Sequence, residues 1–272
     1  MKTAGIIGGS GYTGGELIRL LINHPKIELE FVYSRTKQNK LISDTHPDLL
    51  GSTILCFTNK INEQVEVVFL CLGHGKSFKF LEDNIFSDST IIIDLSNDFR
   101  LKQDNTFKGR KFVYGLPEYK KENIKAANAI SNPGCFATVI QLALLPLAKH
   151  RLLNSKVHVN ATTGSTGAGA QFSSTKHFSW RNNNLSWYKP FAHQHLGEIT
   201  ETLSSLQNNE TNLIFLPHRG DFTRGIFSTA YLEYKGTVKE AEKLYNDFYL
   251  DAPFTHISEN EIDLKNVVNS NN

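Results

Sequence analysis

The chain has 272 residues, 40% hydrophobic and 21% charged, a globular composition that supports a substantial core and excludes extended disorder. Twenty-nine Lys and Arg against 27 Asp and Glu leave a formal charge of +2, so the balance points to neither nucleic acid nor an anionic membrane surface. No apolar run reaches the roughly 18 residues of a membrane span. The N-terminus turns into a glycine loop rather than a signal peptide, and three cysteines without CxxC spacing make neither a disulfide framework nor a zinc site, so a reducing cytoplasm is expected.

Residues 3–7 form a short apolar run that predicts a strand, and it ends in Gly8-Gly9-Ser10-Gly11-Tyr12-Thr13-Gly14-Gly15. Apolar residues at helical spacing follow over 16–22. Strand, glycine loop and helix in that order are the context of a dinucleotide site. Gly8, Gly11 and Gly14 allow the tight turn and bring backbone N–H groups to a pyrophosphate; with Ser10, Tyr12 and Thr13 they are the candidate cofactor residues. The next strand, 28–33, ends where an NAD site carries an acidic residue for the ribose. Here Ser34-Arg35-Thr36 offers a hydroxyl and a guanidinium suited to a 2′-phosphate, so NADP(H) is the expected cofactor.

Runs at 65–72, 90–95 and 111–114 predict further strands, the first two continuous as in parallel strands buried on both faces, with a helix over 78–86. Cys71 and Cys56 lie in apolar runs and are expected to be buried strand residues, poor as nucleophiles. Cys135 differs. Asn132-Pro133-Gly134 is a turn that delivers it to the start of an apolar helix, where free N–H groups and the helix dipole favour a thiolate.

Downstream, Thr162-Thr163-Gly164-Ser165-Thr166-Gly167-Ala168-Gly169-Ala170 is a second glycine and hydroxyl loop, with Ser165 and Gly167 as candidates to hold a phosphate or the nicotinamide end of the cofactor. His193-Gln194-His195 sits close to Glu198. On a strand both histidines would face one way, but no third ligand has metal spacing, and a histidine acid/base oriented by Glu198 needs fewer assumptions. Arg100 and Arg224 are the candidates for anionic substrate groups.

Together these stretches resemble the N-acetyl-gamma-glutamyl-phosphate reductases. The resemblance is carried by the residue 8–17 glycine loop, Asp94-Leu95-Ser96-Asn97-Asp98-Phe99-Arg100-Leu101, Tyr114-Gly115-Leu116-Pro117-Glu118, Asn132-Pro133-Gly134-Cys135, Gly164-Ser165-Thr166-Gly167-Ala168-Gly169, His193-Gln194-His195, Pro217-His218 and Thr223-Arg224-Gly225, in that order. It implies an α/β fold: a Rossmann-type parallel-sheet NADP domain over 1–132 and a mixed-sheet catalytic and oligomerisation domain of the glyceraldehyde-3-phosphate dehydrogenase type over 133–266. Residues 267–272 would begin a segment returning to the nucleotide domain, cut short. It further implies a small acyl phosphate substrate, a Cys135 thioester, a histidine of the 193/195 pair as acid/base, substrate contacts from Arg100, Asn132, Glu198 and Arg224, no metal, and a homodimer or homotetramer. The chain departs from the family at Ala170, where an arginine is usual, leaving Arg181 or Arg219 to replace that anion contact. The alternatives are an aspartate-semialdehyde dehydrogenase-like enzyme and a truncated, non-catalytic NADP-binding protein.

Overall fold

The computed structural model describes residues 1–268 and 270. The chain forms two compact units, residues 1–115 with 120–133, and residues 116–119 with 134–272. The short stretch 116–119, which falls in the first domain on the sequence reading and in which helix α3 (Pro117–Lys125) begins, groups with the second unit.

In the first unit the strands are β1 (Lys2–Ile7), β2 (Ile27–Tyr33), β3 (Phe57–Thr58), β4 (Val67–Leu70) and β5 (Ile91–Asp94), then a small hairpin of β6 (Thr106–Phe107) and β7 (Arg110–Lys111), then β8 (Val113–Tyr114) and β9 (Ala129–Ser131). Seven of them make one sheet in the order β3-β2-β1-β4-β5-β9-β8, with every pair parallel. A central parallel strand must bury both faces, and the residues comply: Ala4, Ile6, Ile7, Val68 and Leu70 are fully buried. Helix α1 (Tyr12–Leu21) sets Ile18 and Leu21 into one core with Val32 and Phe57, while α2 (Ser77–Asp83) contributes Leu81 to a second core with Phe99 and Phe112, whose rings stack 4.1 Å apart. α1 starts four residues earlier than the expected 16, because the last residues of the glycine loop already wind into its first turn.

Two cysteine expectations meet different outcomes. Cys71 follows β4 and is half-buried, and burial raises its thiol pKa. Cys56 is exposed, a correction: only Phe57–Thr58 of its run joins the sheet, and Ile54 is also in solvent.

The second unit contains α4 (Cys135–Lys149), β10 (Val157–Thr163), α5 (Phe178–Arg181), β11 (Ser186–Trp187), α6 (Leu196–Gln207), β12 (Leu213–Arg219), β13 (Ile226–Tyr231) and α7 (Val238–Tyr249). Its sheet runs β11-β12-β10-β13, with β10 and β12 parallel and the outer pairings antiparallel. Helix α4 packs against α6 and β13, and α6 against β12, so that Ile140, Leu144, Ile199, Leu203 and Phe215 are buried. Pro146 lies inside α4 and has no N–H for the carbonyl one turn earlier, that of Leu142. The hydroxyl of Tyr249 donates to that carbonyl, and Tyr245 donates to Ala143 O beside it, so α7 satisfies the break. Leu264 and Val268 pack on Gly225 of this same unit. Of the expected return segment, Asn269, Asn271 and Asn272 lie outside the described residues.

Candidate active site

The nucleotide loop of the first unit is built from local sequence. Gly8 has φ +86°, and a Cβ there would stand 2.6 Å from the Cys71 carbonyl oxygen, so only glycine fits the turn leaving β1. The amides of Gly8 and Gly9 donate to Tyr33 O at 3.0 and 3.2 Å, which ties the loop to the end of β2. Gly11 is the N-cap of α1, and the amides of Tyr12, Thr13 and Gly14 that follow have no partner among the described residues. A helix N-terminus with open amides is an anion site in waiting. Ser34, buried at the end of β2, donates its hydroxyl to Ser10 Oγ at 3.3 Å, and the exposed Arg35 comes next. These groups fit a dinucleotide with a 2′-phosphate. One residue gave no signal in the sequence: His46, distant in the chain, bonds Gly9 O at 2.9 Å through Nε2 and fills the space beside Gly15.

The Asp94–Arg100 stretch is a scaffold. Asp94 is fully buried and takes Ser96 Oγ at 2.7 Å; burial pushes its carboxyl above the ordinary range, with the bonds from Ser96 opposing. Asp98 accepts the amides of Gly75, Ser77 and Phe78 at 2.6, 3.0 and 3.0 Å, and so anchors the start of α2. Arg100 is 6% exposed and its guanidinium donates to Asn132 O at 2.9 Å and Leu95 O at 3.2 Å. It is a buried, oriented cation rather than a solvated surface arginine. Asn132 is held from its own amide by Asp94 O at 2.7 Å.

In the second unit Cys135 is the first residue of α4 and is exposed. The residue before it, Gly134, donates its amide to Glu198 Oε2 at 3.1 Å. A Cβ on Gly134 would lie 2.3 Å from His195 Nε2, so the absent side chain is what lets the imidazole approach the turn that carries the thiol. Glu198 reaches His195 as well, with Oε1 3.9 Å from Nε2, and both residues are buried. The two histidines do not share a strand: His193 lies in a loop and His195 is the N-cap of α6, with their rings 4.6 Å apart in an edge-to-face arrangement. The amide of His195 donates to His193 Nδ1 at 3.2 Å, so that nitrogen is the unprotonated one. Burial, aided by the charge of Lys189, lowers the His193 pKa to about 4 and keeps it neutral. Tyr188, which the sequence reading missed, stands edge-on to His193 at 5.7 Å; burial and the nearby Cys135 charge push its phenol up to about 12.

The second glycine loop is tied inward. The amides of Ser165 and Thr166 donate to Phe222 O and Thr223 O at 2.8 and 3.2 Å, so they do not form the open phosphate nest that its glycines suggested. Arg224 follows in the same docked turn and is exposed. Among the described residues no group of three or more His, Cys, Asp or Glu side chains is placed to hold a metal, and no helix is long and apolar enough to cross a membrane.

Comparison with known proteins matches both units. A family profile described as "Semialdehyde dehydrogenase, NAD binding domain" covers residues 3–127, and one described as "Semialdehyde dehydrogenase, dimerisation domain" covers 135–272. The N-acetyl-gamma-glutamyl-phosphate reductase of Flavobacterium johnsoniae is 57% identical over 272 residues, all of this chain and 84% of that protein. The reductases of Christiangramia forsetii and Phocaeicola vulgatus are 55% and 50% identical with the same coverage. Among solved structures, aspartate semialdehyde dehydrogenase II of Vibrio cholerae aligns with a TM-score of 0.63 at 14% identity, covering 90% of this chain and 78% of that one. Aspartate semialdehyde dehydrogenase with NADP from Candida albicans gives 0.64 at 14% identity, covering 90% and 75%. At that identity the structural likeness speaks for the two-domain fold alone.

Proposed function

The chain belongs to the N-acetyl-gamma-glutamyl-phosphate reductase family, and from that membership we propose that it reduces N-acetyl-gamma-glutamyl phosphate to N-acetyl-glutamate 5-semialdehyde with release of phosphate, using NADPH, in arginine biosynthesis. The first unit is the NADPH-binding domain, with Gly8, Ser10, Gly11, Tyr12, Thr13, Gly14, Ser34 and Arg35 as its cofactor residues. The second carries catalysis and oligomerisation.

Cys135 is the nucleophile. Its thiolate attacks the γ-acyl carbon; a C–S bond forms, the C–O bond to phosphorus breaks, and phosphate leaves with the electron pair. NADPH, when bound, supplies the hydride that reduces a thioester. His195 protonates the oxyanion that hydride addition creates, then takes that proton back as the C–S bond breaks and the aldehyde is released with the thiolate restored. The observation that carries this assignment is the approach of His195 to Gly134, with Glu198 bonded to the Gly134 amide and close to the same imidazole. His193, held neutral with Nδ1 accepting the His195 amide, positions its neighbour. Arg100, Asn132 and Arg224 bind substrate, Ser165 and Gly167 border the cofactor's reacting end, and Glu198 positions the turn.

The test is the reverse reaction: phosphate-dependent NADP+ reduction with N-acetyl-glutamate semialdehyde and with aspartate semialdehyde. Preference for the first is expected; preference for the second overturns the substrate assignment. We also propose a cytoplasmic homodimer or homotetramer. The second unit leaves Trp187, Phe227 and Tyr231 exposed on its sheet, and light scattering giving a monomer would refute self-association.

A further inference from the structure

Two arginines of the second unit have no part in the mechanism above. Arg181, the last residue of α5, is 5% exposed, yet its guanidinium donates only to neutral oxygens: Ser186 Oγ at 3.1 Å, Asn184 O at 2.9 Å and Arg219 O at 3.4 Å. Its Nε is buried with no hydrogen-bond partner among the described residues, and so is the Nε of Arg219, the last residue of β12. Neither guanidinium makes an ion pair among the described residues. The carboxylate that Arg181 feels, Asp221, accepts the amide of Asn183 at 2.6 Å, and the two arginine charges oppose one another.

The position of Arg219 is what gives the doublet a use. Its guanidinium carbon lies 4.7 Å over the ring of Tyr188, and Tyr188 in turn packs on His193 at 5.7 Å and on Phe136, the residue after Cys135, at 6.5 Å. Two neighbouring cations, one buried and one half-buried, without a counterion are costly, and an anion with several oxygens is what their summed charge would best accept. The Tyr188 face fixes the guanidinium plane without neutralising it.

We propose that Arg219, backed by Arg181, binds an anionic oxygen group of the substrate at the Cys135 site. The group is either the departing phosphate or the carboxylate of the amino-acid skeleton, and both are oxyanions that a guanidinium takes by paired hydrogen bonds. The proposal rests on the reductase reading for the identity of the substrate, but its first test does not.

Cys135 is alkylated with iodoacetate, an anion, and with iodoacetamide, its neutral analogue, following the Cys135 peptide so that the exposed Cys56 does not interfere. In the native protein the rate ratio should favour iodoacetate. In Arg219→Leu that ratio should fall about tenfold, on the scale of one lost charge-assisted hydrogen bond, and Arg219→Lys should keep most of it. A structural role alone would change both rates together, and an unchanged ratio overturns the proposal. Should the leucine variant fail to fold, Arg219→Gln serves in its place. Reverse-direction kinetics then separate the sources. A raised KM for inorganic phosphate assigns Arg219 to the phosphate, and a raised KM for the semialdehyde assigns it to the carboxylate. A fall in kcat with both KM values unchanged refutes substrate binding. If the native protein oxidises no semialdehyde, the reductase reading fails while the alkylation ratio still decides whether Arg219 places positive charge at the thiol.

Discussion

The nucleotide loop and the cysteine corner solve similar problems by opposite means. The loop is contiguous: β1, the glycines and α1 follow one another, and its anion-binding power comes from backbone amides that the glycines leave open. The corner is assembled at long range, since the turn before Cys135 is held by Glu198 and pressed by His195, both from the start of another helix. Outside its glycines, a backbone site should degrade gradually under side-chain substitution, whereas a site made of distant side chains should fail abruptly.

The largest expected effect is in the corner. Cys135→Ser should lower kcat at least about a thousandfold in both directions while leaving NADPH affinity intact, because alkoxide is a far poorer substitute for thiolate at neutral pH. Single-turnover acyl transfer would reveal retained activity, which would end the thioester mechanism. Gly134→Ala tests the packing itself. The new methyl would meet the imidazole at 2.3 Å, and displacing His195 by about 1 Å should cost about a hundredfold in kcat. Unchanged turnover would mean that His195 is not the acid/base.

A third effect is smaller and concerns stability. His193 has a folded-state pKa near 4 against an ordinary 6.5, so between these values the unfolded chain binds more protons than the folded one. The stability tied to the neutral ring is therefore complete above about pH 6.5 and is lost as pH falls toward 4, by about 3 kcal/mol in all. Urea unfolding of the native protein and of His193→Asn at pH 7 and pH 5 measures it: the variant should lose less on acidification. Equal losses would show that His193 is not held neutral. The smallest effect belongs to the loop. Arg35→Ala should weaken NADPH binding about tenfold and NADH binding little, because only one carries the 2′-phosphate; equal losses by fluorescence titration would remove Arg35 from cofactor recognition.

The same contrast explains what was readable in advance. Gly8, Gly11 and Gly14 between a strand and a helix announce their role because every partner is a near neighbour in the chain, and Cys135 is marked by the turn that precedes it. The two-residue spacing of His193 and His195 did not by itself say what element carries them; in the fold they fill the loop and cap that open α6. Cys56 looked buried by composition, but a two-residue strand leaves most of its run in water. Asp98 as the anchor of α2, His46 beneath the glycine loop and Tyr188 beside Arg219 all depend on contacts that no short window contains.

The proline in α4 has a mechanical meaning. The helix is the bar on whose tip the nucleophile rides, and Pro146 makes a joint in it about three turns back. The hydroxyls of Tyr245 and Tyr249 act as a splint across that joint, so α7, which holds no residue of the site, bears on how firmly the thiol is aimed. Loosening that splint would blunt the reaction from a distance, with every reacting group still in place.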